Sequence, residues 1–273
     1  MSDNGVNLYD AQINMNKKEL KSRLKNREVT IGSWITMSDP AIAEIMSMSG
    51  FDWLAIDMEH SGLSHNQAQD ILRVIDLCGV VPLVRVMENN PDLIKKFMDN
   101  GAHGVIVPLV NTKNDAEKAV SAVKYPPIGT RGVGLGRAQR YSQDLEEYVN
   151  WNQKKSVVIV QVEHIKAVEN LESIMSVDGV DGFMVGLYDL SGSLGCPGDF
   201  ENPSVLEALD EIHNKSKKFH YLMGQHIVKP APQHVLNKIN EGYRFIGFGV
   251  DFLFLGEYVK NSLGEIKKSL KTH

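Results

Sequence analysis

Eight short apolar segments alternate with amphipathic segments along the chain, and this alternation constrains the fold more than any other feature of the sequence. Each pair takes roughly 25 to 40 residues, which is the rhythm of a parallel sheet whose strands are joined by helices. Eight strands are the number that closes a (β/α)8 barrel. The predicted strands cover residues 31–35, 53–56, 81–84, 104–107, 156–162, 182–185, 220–223 and 245–248.

The length of 273 residues suits one such barrel, because barrels of this type typically need about 250 residues. We therefore predict a single domain over residues 1–273, a (β/α)8 TIM barrel with an N-terminal helix at 17–26 and a C-terminal helix at 252–270. That last helix either closes the barrel or packs on another subunit. Hydrophobic residues make up 42% of the chain, enough to bury a full core.

Several helix boundaries are marked by capping residues. Asp39 and Asn90 each precede a proline, so each supplies an N-cap with proline at the first helical position. Ser64 followed by Gln67 predicts a capping box. Residues 124–148 form a long, glycine-rich connection after the fourth strand, and long loops in compact domains tend to be functional. We expect this loop to shape a site or an interface.

Composition narrows the class of partner. The net charge of −5 and the pI near 6.0 give no basic field that would attract nucleic acid or an anionic membrane. Only Cys78 and Cys196 occur, which excludes a disulfide framework and favours a reducing compartment. The first residues resemble no signal peptide, and no run of 18 apolar residues is present. We expect a cytoplasmic protein that acts on a small molecule.

Polar residues stand just after several predicted strands, at the end of a barrel where active groups are found. Glu163 and Asp189 arrive from adjacent strands and would repel each other unless a cation or a shared proton lay between them. Two such oxygen ligands suit octahedral Mg²⁺ or Mn²⁺. The structural alternative is that Glu163 caps a helix and Asp189 starts one. The full set of strand-end residues is Asp57, Glu59, His60, Arg85, Gln161, Glu163, Gly186 and Asp189.

Three basic residues admit two interpretations each. His60 is either a general base, oriented by Asp57 and Glu59, or an ordinary loop histidine. Arg85 ends a buried strand and needs an anion, which is either a substrate carboxylate or a carboxylate of the barrel itself. His226 is predicted just after the seventh strand, where it would contact a substrate, although loop histidines mostly do not.

Five motifs in this order resemble the HpcH/HpaI group of class II 2-oxo-acid aldolases, and the resemblance runs from about residue 31 to residue 250. The resemblance implies metal-dependent cleavage or formation of a C–C bond between pyruvate and an aldehyde, as in 2-oxo-3-deoxy sugar acids or related 4-hydroxy-2-oxo acids. The motifs are residues 51–60, 82–85, 125–132, 161–163 and 180–191.

The resemblance also assigns roles to individual residues. Glu163 and Asp189 correspond to the ligands of a divalent metal cation, Mg²⁺, Mn²⁺ or Co²⁺. His60 corresponds to the base, and Asp57 and Asp99 to acidic positions that support this histidine or the neighbouring subunit's site. The assembly implied is a homo-oligomer, a hexamer or trimer, with the helix at 252–270 exchanged between subunits. The positions implied for substrate binding are Arg85, Gln161, Gly186, Leu187 and Tyr188.

The chain departs from the family pattern at three places. Residues 186–190 replace the common Gly-Pro-x-Asp-Leu and put the bulky Tyr188 beside the pyruvate pocket, His164 replaces a small hydroxyl residue, and residues 221–226 are bulkier than usual. Two other functions share this barrel. One is a lyase of the citrate-lyase-β or malyl-CoA type, and the other is a non-catalytic barrel that binds a metal and a keto acid.

Overall fold

The structure, a computed structural model, describes residues 19–271 and contains eight parallel strands that close into a barrel in sequence order. β8 pairs with β1, so no strand edge is left open, and the predicted (β/α)8 barrel is confirmed. The strands are β1 (Thr30–Ile35), β2 (Trp53–Asp57), β3 (Val81–Arg85), β4 (Gly104–Val107), β5 (Val157–Val162), β6 (Gly182–Val185), β7 (Met223–Ile227) and β8 (Phe245–Val250).

Helices surround the strands. A 3₁₀ turn, Arg137–Gln139, lies in the long loop after the fifth helix. None of the helices within residues 19–271 combines the length and apolar character needed to cross a bilayer. The helices of this part of the chain are α1 (Leu20–Lys25), α2 (Pro40–Ser47), α3 (His65–Leu77), α4 (Pro91–Asp99), α5 (Lys113–Val123), α6 (Leu145–Lys155), α7 (Ile165–Glu169), α8 (Leu171–Met175), α9 (Leu187–Ser193), α10 (Pro203–Phe219), α11 (Pro232–Asn240) and α12 (Asp251–Lys271).

The predicted helix caps are present. The side chain of Asn90 accepts hydrogen bonds from the backbone N–H groups of Asp92 and Leu93 at the start of α4. Ser64 and Gln67 form both hydrogen bonds of a capping box at the start of α3. These caps satisfy backbone N–H groups that have no partner inside the helix, so they fix where each helix begins.

The barrel lumen is filled by large side chains that alternate with glycine. Trp53 and Phe245 stack with ring centroids 4.2 Å apart, and Trp34 meets Trp53 edge-on at 6.4 Å. Gly32 leaves the space for the Trp53 ring, because a Cβ atom there would lie 2.0 Å from it. The lower lumen is therefore a packed core, and only the carboxyl ends of the strands are left for a site.

Helix α1 lies at the amino ends of the strands. Leu20 and Leu24 are buried in the same apolar cluster as the lumen residues Val81 and Val157. The helix was predicted at 17–26; its described part is Leu20–Lys25, and residues 17 and 18 lie outside the described residues. This helix covers the end of the barrel opposite the predicted site.

The prediction for the seventh strand is wrong in position. Helix α10 continues to Phe219, and His220 then adopts a left-handed conformation with φ 57° that ends the helix. The strand begins only at Met223 and continues to Ile227. Gln225 and His226, which were predicted to follow this strand in a loop, therefore lie within β7.

The long loop at 124–148 packs at the amino-terminal end of the barrel. Arg131 Nη2 donates to Asp99 Oδ1 at 2.5 Å, and Arg137 Nη2 donates to Asp76 Oδ2 at 2.6 Å. Both carboxylates lie at or near the ends of helices that lead back to the amino ends of strands. Within this chain the loop therefore lies away from the carboxyl ends of the strands.

Lys124 turns inward at the start of that loop. Its Nζ atom lies 2.7 Å from Ser156 Oγ and 2.8 Å from the carbonyl oxygen of Asn152, and the side chain is buried. Burial, together with the charge of Lys21, lowers the pKa of Lys124 to about 7. The amine is thus held by oxygen atoms of helix α6 and of the residue that follows it.

We predict that Lys124 makes the free energy of unfolding rise with pH above neutrality. The unfolded chain keeps this lysine protonated up to its ordinary pKa of 10.5, whereas the native side chain releases its proton near 7. The unfolded state therefore binds more protons between these values, and stability increases with pH there. Urea unfolding at a series of pH values should show a shallower rise for Lys124→Met than for the wild type.

The matched control for this measurement is Lys154→Met, which removes an exposed lysine from helix α6, the helix that the Lys124 amine contacts. Its stability should follow the wild-type slope. Equal slopes for wild type and Lys124→Met would contradict the prediction.

Candidate active site

The strand register brings the predicted polar residues to one end of the barrel. Asp57 pairs with Arg85 as the last residues of β2 and β3, and Gln161 lies on β5 two residues before Glu163. Because side chains alternate along a strand, Gln161 and Glu163 share one face, which is the face of the lumen residue Ile159. The predicted convergence of these groups is present in the structure.

Arg85 is held by two contacts within the lumen. Its Nε donates to Asp57 Oδ1 at 2.9 Å and its Nη2 donates to Asp57 Oδ2 at 2.6 Å. Its guanidinium group also lies over the Trp34 ring, 4.6 Å from the centroid. Burial by itself raises the pKa of Asp57, but the hydrogen bonds and charge of Arg85 outweigh it, so the pKa lies below its ordinary value. Arg85 Nη1 has no hydrogen-bond partner within residues 19–271.

Glu163 is buried and hydrogen-bonded on both oxygens. Its Oε1 accepts from the backbone N–H of Leu109 at 2.6 Å, and its Oε2 accepts from Gln161 Nε2 at 2.7 Å. Burial raises the pKa of Glu163 to about 7, and the charges of Glu59 and Asp189 raise it while the Leu109 N–H and Arg85 lower it. The carboxylate is therefore fixed in position within an excess of negative charge.

Glu59 and His60 lie at the rim of the same site. His60 Nε2 is 3.7 Å from Glu59 Oε2, and the His60 side chain is 61% exposed. Glu59 Oε2 is also 3.4 Å from Arg85 Nε, yet it is buried without a hydrogen bond. Burial raises the pKa of Glu59 to about 7, and the charges of Asp57 and Asp189 add to this while Arg85 opposes it. Asp57 reaches His60 only through the backbone, accepting from its N–H at 3.2 Å.

The segment from Gly186 to Asp189 forms the start of helix α9. A Cβ atom at Gly186 would lie 2.7 Å from Glu163 Oε2, so only glycine leaves the Glu163 carboxylate its space. Asp189 lies in the first turn of α9, where the helix dipole favours a negative charge. It is exposed, and its charge acts on both Glu59 and Glu163.

Two of the residues predicted to bind substrate face in different directions. Leu187 packs against the apolar core that lies between strands and helices. Tyr188 is 62% exposed and meets Phe200 edge-on, with ring centroids 4.9 Å apart. The Tyr188 ring therefore stands at the outer rim of the site.

Asp99 is not brought to this site within the chain. It ends helix α4, and its carboxylate pairs with the buried Arg131, whose guanidinium group lies over the Tyr125 ring at 4.5 Å. This cluster is at the amino-terminal end of the barrel, whereas His60 and Arg85 are at the carboxyl end.

His164 explains one departure from the family pattern. It caps helix α7, its Nδ1 accepting a hydrogen bond from the backbone N–H of Lys166 at 3.1 Å. The cap is therefore the residue after Glu163, so the structural alternative in which Glu163 caps the helix does not apply. A serine or threonine at this position would serve the same purpose.

The donor set at the mouth suits a divalent cation with two protein ligands. Within residues 19–271 no group of three or more histidine, cysteine, aspartate and glutamate side chains is arranged around one point as metal ligands. The charges of Glu59 and Asp189 nevertheless act against that of the buried Glu163, and a cation would relieve this repulsion. Gln161 Oε1 is a further buried acceptor without a partner. Hard oxygen donors of this kind are those that Mg²⁺ and Mn²⁺ prefer.

Sequence reasoning missed two residues of this site and underrated a third. The ring of Trp34 lies against the guanidinium group of Arg85. Its position on the lumen face of β1, two residues after Gly32, could have been read from the side-chain alternation of the strand. Leu109 donates to Glu163 from a backbone with φ 52°, a conformation rare for leucine that no sequence pattern announces. Glu59 was considered only as support for His60, although its buried carboxylate belongs to the acidic cluster.

Comparison with known proteins places these residues in a family. The model of the HpcH/HpaI aldolase/citrate lyase family matches residues 30–255. A 2-keto-3-deoxy-L-rhamnonate aldolase from Klebsiella pneumoniae is 36% identical over 252 residues, which cover 90% of this chain and 92% of that protein. A 5-keto-4-deoxy-D-glucarate aldolase from Escherichia coli is 32% identical, covering 85% of this chain and 90% of that protein.

A solved structure leads to the same family. An HpcH/HpaI aldolase/citrate lyase family protein from Burkholderia cenocepacia superposes with a TM-score of 0.85 at 31% identity, covering 91% of this chain and 98% of that one. Similarity in sequence and in structure extends over nearly the whole barrel, including every strand that contributes to the site. The chain therefore belongs to the HpcH/HpaI aldolase/citrate lyase family.

Proposed function

We propose that this protein is a divalent-metal-dependent aldolase that cleaves or forms the C–C bond between pyruvate and an aldehyde. The substrate class is the 2-oxo-3-deoxy sugar acids or related 4-hydroxy-2-oxo acids, in keeping with the names of the two aldolase relatives. The observation that carries the proposal is the juxtaposition of a buried acidic cluster with Arg85. The first suits a metal cation and the second suits the carboxylate of a 2-oxo acid.

Glu163 and Asp189 would hold the metal. When bound, a divalent cation polarises the 2-oxo group and stabilises the negative charge that develops as the C–C bond breaks. Glu163 is set for this by the Leu109 N–H and the Gln161 amide, which fix both carboxylate oxygens. The rigid placement of a ligand by its hydrogen bonds is typical of metal sites.

Arg85 would bind the carboxylate of the 2-oxo acid. Asp57 occupies its Nε and Nη2 atoms, and Trp34 fixes the plane of the guanidinium group. Nη1 is left to meet an anion in a partly buried setting, where charge-assisted hydrogen bonds are strong. Gln161, with its unpartnered Oε1, and the backbone at Gly186 both lie against the Glu163 carboxylate.

His60 would exchange a proton with the reacting carbon or hydroxyl group. Its exposed ring stands beside Glu59, and its backbone is anchored by Asp57. An imidazole acts as base or acid near neutral pH, directly or through a water molecule. We also propose a cytoplasmic location, which the two unpaired cysteines Cys78 and Cys196 support.

The proposed function predicts pyruvate release that depends on a divalent metal. Incubation with 2-oxo-3-deoxy sugar acids should release pyruvate, measured by coupling to lactate dehydrogenase. Treatment with a chelator should abolish release, because the charge that develops in the reaction then lacks its counter-ion. Addition of Mg²⁺, Mn²⁺ or Co²⁺ should restore release. Glu163→Gln should remain inactive after metal is restored.

Two results would contradict this proposal. Pyruvate release that is indifferent to chelation would exclude the metal-dependent mechanism. Binding of metal and pyruvate without any cleavage, and without exchange of the pyruvate methyl protons with solvent, would favour the non-catalytic alternative.

Replacement of Arg85 tests whether this residue binds the carboxylate of the 2-oxo acid. Arg85→Lys should weaken pyruvate binding by about 2 to 5 kcal/mol, because the variant lacks the planar fork that meets a carboxylate in a desolvated site. Isothermal titration of pyruvate into the Mg²⁺-loaded protein measures this. Arg73→Lys is the control, since Arg73 pairs with Asp70 on the exposed surface of α3. Unchanged pyruvate affinity in Arg85→Lys would contradict a role in substrate binding. The function of Arg85 would then be its ion pair with Asp57.

Helix α12 carries an apolar stripe that the described part of the chain, residues 19–271, leaves exposed. Its residues follow one another at intervals of three and four, which aligns them on one helix face. We propose that a second copy of this chain covers the stripe and that the protein is a homo-oligomer, a hexamer or a trimer. The stripe consists of Phe252, Leu255, Val259, Leu263, Ile266 and Leu270, each between 47% and 71% exposed.

Charge on this stripe should therefore disrupt the assembly. Leu255→Glu should shift the mass measured by light scattering after size exclusion toward smaller species, because a buried unpaired carboxylate is costly. Asn261→Glu puts the same charge on the opposite face of α12 and should leave the mass unchanged. A monomeric wild type, or equal masses for wild type and Leu255→Glu, would contradict the proposal.

A further inference from the structure

We infer that Asp251 is a positioning residue for the candidate active site, because its carboxylate holds the end of strand β1 and with it the Trp34 ring that lies against Arg85. The inference rests on the proposed function, in which Arg85 binds the carboxylate of the 2-oxo acid. It goes further by giving a part in that binding to the first residue of helix α12, which the sequence did not indicate as a site residue.

The carboxylate of Asp251 is buried and accepts four hydrogen bonds. Its Oδ2 accepts from the backbone N–H groups of Thr36 at 2.7 Å and Met37 at 2.8 Å. Its Oδ1 accepts from the Thr36 hydroxyl group at 2.6 Å and from the backbone N–H of Phe252 at 2.9 Å. Hydrogen bonds to a charged acceptor are stronger than those between neutral groups. One side chain therefore ties the residues that follow β1 to the start of α12.

The pairing between β1 and β8 is irregular beside this tie. Gly32 lies opposite Gly247, but Trp34 lies opposite Val250, so three steps along β8 match two steps along β1. An extra residue of this kind interrupts the ladder of hydrogen bonds between two strands. Gly249, within the irregular stretch, has a left-handed backbone with φ 63°. On the β8 side, the end of β1 is therefore held by the Asp251 carboxylate where regular pairing is interrupted.

The end of β1 matters for the site because it carries Trp34. This residue is two positions before Thr36, and the guanidinium group of Arg85 lies over its ring, 4.6 Å from the centroid. Asp57 binds one edge of the guanidinium group, while the ring limits the tilt of its plane. Within residues 19–271 the Trp34 Nε1 atom is buried without a hydrogen bond, so packing and the β1 backbone set the orientation of the ring.

The proposed metal ligands lie on another side of the barrel. Glu163 directly follows β5, which is opposite β1 in the closed order of eight strands, and Asp189 lies in the helix after β6. Loss of the Asp251 carboxylate should therefore impair the binding of pyruvate by Arg85 and spare the binding of the metal. A general loss of structure would impair both.

The test measures these two affinities separately in Asp251→Ala. Isothermal titration of pyruvate into the Mg²⁺-loaded protein should give a Kd about tenfold higher than that of the wild type, as expected if Arg85 keeps its binding orientation in about a tenth of the molecules. The Kd for Mn²⁺, measured without pyruvate by electron paramagnetic resonance, should be unchanged. The matched control is Asp39→Ala, because Asp39 lies in the same connection but caps helix α2, and it should leave both affinities unchanged.

Two further variants test the route through β1 and Trp34. Thr36→Val keeps the shape of the side chain and removes one hydrogen bond to Asp251, so it should raise the Kd for pyruvate by a smaller factor. Trp34→Met fills the space with a flexible side chain and removes the ring. In the Trp34→Met background, Asp251→Ala should change the Kd for pyruvate much less than in the wild type, because the two residues act in series.

Three results would overturn this inference alone. They are an unchanged Kd for pyruvate in Asp251→Ala, an equal loss of pyruvate and Mn²⁺ affinity in that variant, and an undiminished effect of Asp251→Ala in the Trp34→Met background. If Asp251→Ala does not fold, the same two titrations on Thr36→Val decide, and an unchanged Kd for pyruvate there overturns the inference. A wild type that does not bind pyruvate in the presence of Mg²⁺ would overturn the proposed function as well.

Discussion

The side-chain alternation of eight parallel strands decides which residues enter the barrel lumen and form the candidate site. Along each strand every second residue enters the lumen, and there the lower positions are taken by the rings of Trp53 and Phe245. Polar groups are found toward the carboxyl ends of the strands, at the last lumen positions. Asp57, Arg85 and Glu163 occupy such positions, so the closure of the barrel itself assembles the site from residues far apart in sequence.

The polar groups at this end of the barrel carry more negative than positive charge. Arg85 is the cation for both Asp57, which it binds with two hydrogen bonds, and Glu59, which lies 3.4 Å from its Nε atom. Glu163 and Asp189 form no ion pair within residues 19–271. Buried charges of one sign are costly unless they are neutralised or paired. The raised pKa of Glu59 and of Glu163 expresses that cost, and a divalent cation would remove it. These carboxylates destabilise the site when no ligand is bound. They would favour a cation, and Arg85 beside them would favour an anionic ligand of that cation.

Much of this was predictable from the sequence because the signals are local. Apolar runs that end in Asp57, Arg85 and Glu163 give both the strands and the groups at their carboxyl ends, and capping residues give the helix starts. Pairing of side chains was less predictable. Asp57 and Glu59 were both expected to orient His60. In the structure Asp57 instead binds Arg85 on the next strand, and Glu59 is the carboxylate beside His60. Sequence spacing alone does not distinguish these two pairings.

Two other features escaped prediction for physical reasons. A leucine with positive φ at Leu109 is imposed by tertiary contacts, so its N–H bond to Glu163 has no local signature. Helix α10 ends at His220 in a left-handed conformation that glycine usually adopts, which hid the start of β7. The polar residues Gln225 and His226 then looked like a loop, although His226 contacts Trp34 inside the lumen.

The central claim is that Glu163 and Asp189 bind a cation at which a 2-oxo acid meets Arg85. A crystal structure of the protein with Mn²⁺ and pyruvate, with data collected at the manganese absorption edge, tests it most directly. The account predicts one anomalous peak in contact with both carboxylates, with the pyruvate carboxylate in contact with Arg85. A peak elsewhere, or pyruvate bound away from Arg85 with both carboxylates free, would contradict the account.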